Sequence, residues 1–356
     1  MNTPEIYLKE ALLQAKAYRG FCAPNPAVGA VIVKNNQIIA KGAHKAAGLP
    51  HAEIEALKHC EAQGAALYVS LEPCNHQGRT PACTQAIIES GIAEVYFAYR
   101  DPNPTVKGGG ADYLNEQGVK AQYISMPEAD EFYQSYDHWL KTQRPYVAAK
   151  LAFSLDGKIA SKESSPVAIT GPEAQLYTHQ KRRQSDAILT SVRTIIHDNP
   201  ALNVRLDNEV IAKSLYIIDR IAALPLNAAV FKTAASITVF HGVEADEAKI
   251  KALLEKGVRC FEIKTNARGL DELAMIQQIG QEGVHDLWIE AGGRCFESFY
   301  SAGLIHRVLF YIAPKSLGVD ALPAFQRAHD FSEDAKKLKW HSLGQDLILE
   351  MEMNTL

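Results

Sequence analysis

His51, Cys74 and Cys83 have the chemistry of a zinc site, and Glu53, two residues beyond His51, has the chemistry of its proton carrier. His51-Ala52-Glu53 follows Gly48-Leu49-Pro50 and opens a helical stretch. Leu71-Glu72-Pro73-Cys74 closes an apolar strand, and Cys83 stands where the next helix begins. Strand ends and helix starts of this kind bring one imidazole and two thiols together, and a helix N-terminus favours the thiolate that zinc requires. A structural zinc takes four protein ligands, whereas a set of three leaves the fourth position to water. Two thiolates cancel the charge of the ion, so its water needs a neighbouring base. Glu53 is placed to take that proton and return it to a departing amine.

Other residues near these suit a substrate. Arg79, in the Gly-Arg-Thr stretch between the two thiols, carries a guanidinium that grips phosphate in a bidentate manner. Asn25 stands between two prolines, and its amide can read the edge of a pyrimidine. His44 and His76 have two readings of equal standing, substrate hydrogen-bonding or an ordinary structural histidine. Cys22 and Cys60 read as buried small side chains, and Cys260 and Cys295 as structural. In the second half Ala291-Gly292-Gly293-Arg294 follows an apolar strand and precedes an amphipathic helix. Such a turn suits a diphosphate at a helix start, and a plain strand-to-helix turn explains the residues equally well. No G-x-G-x-x-G follows a strand.

These side chains are carried by alternating strands and helices. Pro4 opens a helix with Thr3 as its N-cap; VGAVIV, the turn KNNQ and IIAKG form a hairpin. A helix over 52–63, a strand over 66–71, a helix over 82–90 and a strand over 94–99 follow, with a further helix and strand to residue 124. A polar helix over 127–141 ends in TQRP, and a new strand opens at Tyr146. The second half alternates again, through AILTS, SLYIID, SITVF, VRCFEI, DLWIEA, RVLFYIA and LILEMEM. The pattern is α/β throughout. The expected division is 1–145 and 146–356, each long enough for its own core.

The chain has 356 residues and a formal charge of -4, and a protein built to coat nucleic acid is usually basic. Six cysteines in this length make no disulfide scaffold, and the N-terminus lacks the apolar core of a signal peptide. No run approaches the length of a membrane span. The expectation is a cytoplasmic, homo-oligomeric protein with free thiols, working on a small molecule and not on nucleic acid or a membrane.

H-x-E followed by P-C and a second cysteine resembles the cytidine-deaminase superfamily, although its usual P-C-x-x-C spacing is longer here. SLEPCNHQGRTPAC, PNPAVGAVIV, AHKAAGLPHAE and RDPNP resemble the bifunctional deaminase–reductases of riboflavin biosynthesis, over essentially all of 1–145. KLAFSLDGKIA, SDAILTSVRTIIHDNPALNVR, LWIEAGG and VLFYIAPK resemble the reductase half of the same family, over 146 to about 320. The resemblance implies a cytidine-deaminase-like α/β/α sandwich followed by a dihydrofolate-reductase-like α/β domain, with Zn2+ and NADPH. It implies cofactor contacts at Phe153, Ala168, Thr194, Asp198, Gly292, Gly293, Arg294 and Ser298. It gives substrate contacts to Arg182, Leu202, Arg205 and Glu290 in the second half, the arginines suiting a ribose phosphate. In two places the chain departs from the family: Ala168 stands where a tryptophan is usual, and Arg220 follows the IID strand in place of a serine.

The implied function is deamination of 2,5-diamino-6-(5-phosphoribosylamino)pyrimidin-4(3H)-one, then reduction of its ribosyl unit to give 5-amino-6-(5-phosphoribitylamino)uracil. Two rivals stand beside it. A nucleobase or RNA deaminase with an unrelated C-terminal domain requires a basic, aromatic-lined face. A zinc-stabilised binding protein requires a fourth protein ligand and has no use for Glu53.

Overall fold

The computed structural model describes residues 3–75, 82–103, 109–160, 168–207 and 209–354, and the chain divides into a unit ending at Gln143 and one beginning at Arg144. In the first unit α1 (Pro4–Tyr18) is followed by β1 (Gly29–Lys34) and β2 (Gln37–Ala43). Asn35 and Asn36 make the turn between them with φ of 53° and 62°, the left-handed pair that matches the twist of a hairpin. Then come α2 (Ala52–Leu57), β3 (Ala66–Val69), α3 (Cys83–Glu89), β4 (Glu94–Phe97), α4 (Gly110–Glu116), β5 (Lys120–Tyr123) and α5 (Pro127–Thr142).

The strand order is β2-β1-β3-β4-β5, antiparallel across β2-β1-β3 and parallel from β3 to β5. Alternate residues of β1 bury toward opposite sides. Ala30 and Ile32 pack with Ala52, Ala56 and Ile87 of α2 and α3, while Val31 and Val33 pack with Leu8 and Ala11 of α1. This is the helix–sheet–helix sandwich expected. Helix α2 is shorter than its sequence pattern, ending at Leu57, and Thr3 occupies the N-cap position of α1 without a side-chain hydrogen bond.

The second unit contains β6 (Tyr146–Ser154), α6 (Pro172–Gln184), β7 (Ala187–Ser191), α7 (Val192–Asp198), β8 (Ser214–Ile218), β9 (Ser236–His241), α8 (Glu247–Glu255), β10 (Arg259–Glu262), α9 (Glu272–Gln281), β11 (Asp286–Glu290), α10 (Gly293–Ser301), β12 (Arg307–Ala313), β13 (Ala335–Leu343) and β14 (Asp346–Met353), besides shorter pieces. Nine strands form one sheet in the order β10-β9-β8-β7-β11-β6-β12-β14-β13. The seven from β10 to β12 are parallel, and β14 and β13 are antiparallel at one edge.

The central strands are buried on both faces, as parallel strands under helices must be. Leu151, Phe153, Ile289 and Phe310 face one core with α9 and α10. Ile188, Ile217, Trp288, Leu309 and Tyr311 face the other with Ala174 and Tyr177 of α6. Among the described residues no helix is long and apolar enough to cross a membrane.

Candidate active sites

His51 is the N-cap residue of α2, in extended backbone and with no side-chain hydrogen bond to the helix start. Cys83 is the first residue of α3, and Cys74 follows the end of β3. The ligand atoms of His51, Cys74 and Cys83 lie within 4.8 Å of one another. His51 Nδ1 is 3.1 Å from Cys83 Sγ and 3.5 Å from Cys74 Sγ. A tetrahedral zinc with ordinary bond lengths sets its nitrogen and sulfur ligands about 3.6 Å apart, so the cluster has the size and donor set of such a centre. The Cys83 backbone N–H points to Cys74 Sγ at 3.5 Å, a helix-start donor that favours the thiolate. The Cys83 thiol and His51 lower Cys74, while the Cys74 charge and burial raise Cys83.

Glu53, on the first turn of α2, is 3% exposed. Burial raises its carboxyl to about 7, against the opposing pull of His51. A buried carboxyl beside three metal-type ligands is placed to exchange protons. Gly110 at the start of α4 lies so close to Pro73 that a Cβ there would stand 2.0 Å from the Pro73 carbonyl oxygen. Glu72 accepts the N–H of Ala111 at 3.1 Å and of Asp101 at 3.4 Å, fixing the backbone that leads into Cys74.

The structure brings Asn25 and His44 to the same place. His44 Nδ1 lies 3.1 Å from the Pro50 carbonyl, which only accepts, so Nδ1 holds the proton and Nε2 takes the Asn25 amide N–H at 3.3 Å. Burial lowers His44 and keeps it neutral. Its ring meets that of His51 edge-on, 5.5 Å between centroids. The Asn25 segment is anchored by α5. Gly29 N–H donates to Ser70 Oγ at 3.0 Å, Ser70 meets Tyr133 Oη at 2.6 Å, and Tyr133 donates to the Ala27 carbonyl at 3.1 Å. His76 and Arg79 lie outside the described residues.

In the second unit α6 carries Arg182 over the end of β11. Its Nε and Nη2 donate to the two Glu290 oxygens at 2.5 and 2.8 Å, and Nη1 donates to the Asn203 carbonyl at 2.8 Å. Trp288 Nε1 adds 2.6 Å to the same carboxylate. Burial alone would raise Glu290, but the Arg182 charge and hydrogen bonds hold it down at about 2. Lys150 pairs with Glu290 in the register of β6 and β11 and stands 5.2 Å from the Tyr311 ring. Burial lowers Lys150, while Glu290 and Asp198 favour its charge. Sequence reasoning passed over Lys150, although a single lysine inside the apolar run YVAAKLAF is a visible signal.

Arg205 and Asp198 do not share one loop. Asp198 ends α7 and is raised by burial, whereas Arg205 lies on the short strand Val204–Leu206. Arg205 is exposed, its N–H donates to His179 Nδ1 at 3.1 Å, and its Nη1 to Asn203 Oδ1 at 2.6 Å. His179, also unforeseen, is lowered to about 4 by burial and by Arg182 and Arg205. Leu202 is buried with φ of 45°, a strained turn between the two.

Of the cofactor candidates, Thr194 donates its backbone N–H to Oγ of Ser191, the N-cap residue of α7, and Gly292 is the N-cap residue of α10. A Cβ on Gly293 would stand 1.9 Å from the Ala324 carbonyl oxygen, so only glycine lets α10 begin there. Arg294 is exposed. Ser298 donates to the buried Glu272. The Phe153 ring is enclosed by Phe310 and Phe325, which leaves its backbone for a ligand. The Ala168 carbonyl accepts from Lys315 Nζ at 2.8 Å.

A zinc-type deaminase sandwich joined in one chain to a parallel-sheet reductase unit is the class these two sites define. The Cytidine and deoxycytidylate deaminase zinc-binding region family matches residues 1–99, and the RibD C-terminal domain family matches 145–349. The riboflavin biosynthesis protein RibD of Aquifex aeolicus is 37% identical, covering 96% of each chain, and that of Escherichia coli is 35% identical, covering 98% of each. The solved RibD of Acinetobacter baumannii superposes with a TM-score of 0.87 at 33% identity over 99% of each chain. A Thermotoga maritima diaminohydroxyphosphoribosylaminopyrimidine deaminase/5-amino-6-(5-phosphoribosylamino)uracil reductase gives 0.83 at 30%, also over 99% of each.

The chain belongs to the RibD family, the bifunctional deaminase–reductases of riboflavin biosynthesis, with Zn2+ and NADPH as cofactors. A phosphoribosyl-pyrimidine is its small-molecule substrate. The rival with an unrelated C-terminal domain is not favoured, since likeness extends through both halves.

Proposed function

We propose that the first unit deaminates 2,5-diamino-6-(5-phosphoribosylamino)pyrimidin-4(3H)-one and that the second reduces the ribosyl unit of the product. The observation that carries the reading is the convergence of His51 Nδ1 and the Cys74 and Cys83 sulfurs beside the buried Glu53. Those three residues hold the zinc, which when bound supplies Lewis acidity for attack by water. Glu53 takes a proton from the attacking water as its oxygen bonds to the ring carbon bearing the 2-amino group. It returns that proton to the amine as the carbon–nitrogen bond breaks and ammonia leaves. Asn25, oriented through His44, presents its amide oxygen to the pyrimidine. His76 and Arg79 complete the substrate contacts, Arg79 at the phosphate.

In the second unit NADPH, when bound, supplies the hydride for C1 of the ribosyl unit. Phe153, Ala168, Thr194, Asp198, Gly292, Gly293, Arg294 and Ser298 form the cofactor side. Glu290 and Lys150 face the reacting end as a buried acid–base pair. Arg182 holds Glu290 in place and has two N–H groups left for substrate, while the exposed Arg205 takes the phosphate beside Leu202. A homo-oligomer and a cytoplasmic location belong to the same reading; thiolate ligands suit a reducing compartment. Light scattering and cell fractionation test these two.

Purified protein given the diamino substrate should release ammonia without NADPH and should oxidise NADPH only after that release. Ammonia release that persists after zinc is stripped, or NADPH oxidation without deamination, overturns the reading.

A further inference from the structure

The carboxyl ends of β6 and β12 are joined by one carboxylate that the reading above does not use. The two strands run parallel and end side by side, with Ser154 opposite Ala313. Asp156, in the turn after β6, accepts from Ser154 Oγ at 2.5 Å and from Ser316 Oγ at 2.9 Å. It also accepts the N–H groups of Leu317 at 3.1 Å and Gly318 at 2.8 Å. Three of the four donors belong to the turn after β12. Ser154 above all, with those three, holds the carboxyl well below the usual carboxylate range. Hydrogen bonds to an ionised acceptor of this kind are the strong ones.

The joined turns carry the residues of the cofactor side. Leu155 N–H donates to the Lys315 carbonyl at 2.8 Å, and Lys315 Nζ donates to the Ala168 carbonyl, also at 2.8 Å. On the other flank, Ala324 N–H donates to the Gly157 carbonyl at 2.9 Å. The carbonyl of Ala324 is the group against which Gly293 fits with no room for a Cβ. The short strand Lys158–Ala160 pairs with Leu322–Pro323, and Cδ1 of its Ile159 lies 3.8 Å from where a Cβ on Gly292 would stand. Ala168, Gly292 and Gly293 are thereby tied, contact by contact, to the turn that bears Asp156.

We propose that Asp156 is a positioning residue for NADPH, fixing through the turn after β12 the spacing between Ala168 and the glycine turn at Gly292. The proposal rests on the reductase reading of the second unit, and Asp156 itself touches no reacting atom. Ligands of open parallel sheets lie across the carboxyl ends of the strands, and those are the ends that Asp156 joins. Burial does little to hold the two turns together, since Leu155 is 74% exposed and Val319 90%. The carboxylate does that work instead. A dinucleotide engages both parts of its site only if their spacing is kept. Turns fixed beforehand spare the binding step the cost of ordering them.

The test is NADPH binding to the full chain by calorimetry, with reductase KM values measured beside it. Asp156→Asn keeps the size of the side chain but turns an NH2 group toward donors that need an acceptor. It should raise the Kd of NADPH about tenfold and leave the KM of the deaminated phosphoribosyl compound within about twofold. Lys315→Met cuts the last link to Ala168 and should weaken NADPH several-fold. The double variant should bind no worse than Asp156→Asn alone, because both changes break one chain of contacts. An unchanged Kd in Asp156→Asn, or in Lys315→Met where Asp156→Asn does not fold, overturns the proposal. Additive losses overturn it too, and so does equal weakening of NADPH and substrate, which marks a merely structural turn. Wild-type protein that binds no NADPH overturns the reductase reading itself, and the role of Asp156 with it.

Discussion

Replacing Arg182 by methionine keeps most of the side-chain volume and removes the charge that faces Glu290. Both side chains of the pair are 11% exposed, so Glu290 has little water to turn to when its partner goes. A carboxyl held at about 2 in place of 4.5 represents about 3 kcal/mol of stabilisation at pH 7. Breaking a buried pair from one side costs a similar amount, about 3–5 kcal/mol. Lys150 and Trp288 Nε1 remain beside the carboxylate and offset part of the loss, which places the expected cost at about 2–3 kcal/mol.

The pH dependence has a definite sign. Glu290 is depressed in the folded chain, so its contribution is present above the unfolded value of 4.5 and is lost as pH falls toward about 2. The stability gap between wild type and Arg182→Met should therefore be full at pH 7 and narrow below about pH 4.5. Urea unfolding of the full chain, read by hydrogen exchange in peptides from β7 and β11, isolates the second unit. A gap under about 1 kcal/mol at neutral pH, or one that widens in acid, refutes the reasoning.

Cys83→Ser should lose most of its zinc by metal analysis of the purified chain, while full retention removes Cys83 from the ligand set. Arg205→Ala should raise the reductase KM for the phosphoribosyl substrate about ten- to a hundredfold with NADPH affinity unchanged, and steady-state kinetics with separate NADPH titration checks both. Gly293→Ala must push α10 away from Ala324; NADPH binding should weaken at least about tenfold and calorimetry should show a lower Tm.

The zinc-type cluster was legible because its chemistry is local. His51, Cys74 and Cys83 each stand at a strand end or helix start, where sequence pattern is strongest; alternation gives the α/β class beneath them, and the family resemblance its sandwich form. The reductase site is built differently. Glu290 meets Lys150 through the register of two strands far apart in sequence, and Arg182 reaches Glu290 from a helix between them. No spacing in the chain encodes that meeting, so Lys150 was passed over and Arg182 was assigned to phosphate without its bond to Glu290. His179 was missed for the same reason, since its partner is a backbone N–H on a strand beyond the next helix. Strand β13 was missed because it is an edge strand. Its run KKLKWHSL keeps lysines exposed, as an edge must to resist pairing with another chain, and so it lacks the apolar signature of the buried strands.

The central claim is that one chain holds two chemistries at separate sites, with Glu53 serving only the first. Full-length Glu53→Gln, loaded with zinc, should be assayed for NADPH oxidation with the diamino substrate and, separately, with the deaminated compound. The account predicts no oxidation from the diamino substrate, no ammonia, and a wild-type rate from the deaminated compound. Loss of both reactions, or ammonia release at the wild-type rate, contradicts it.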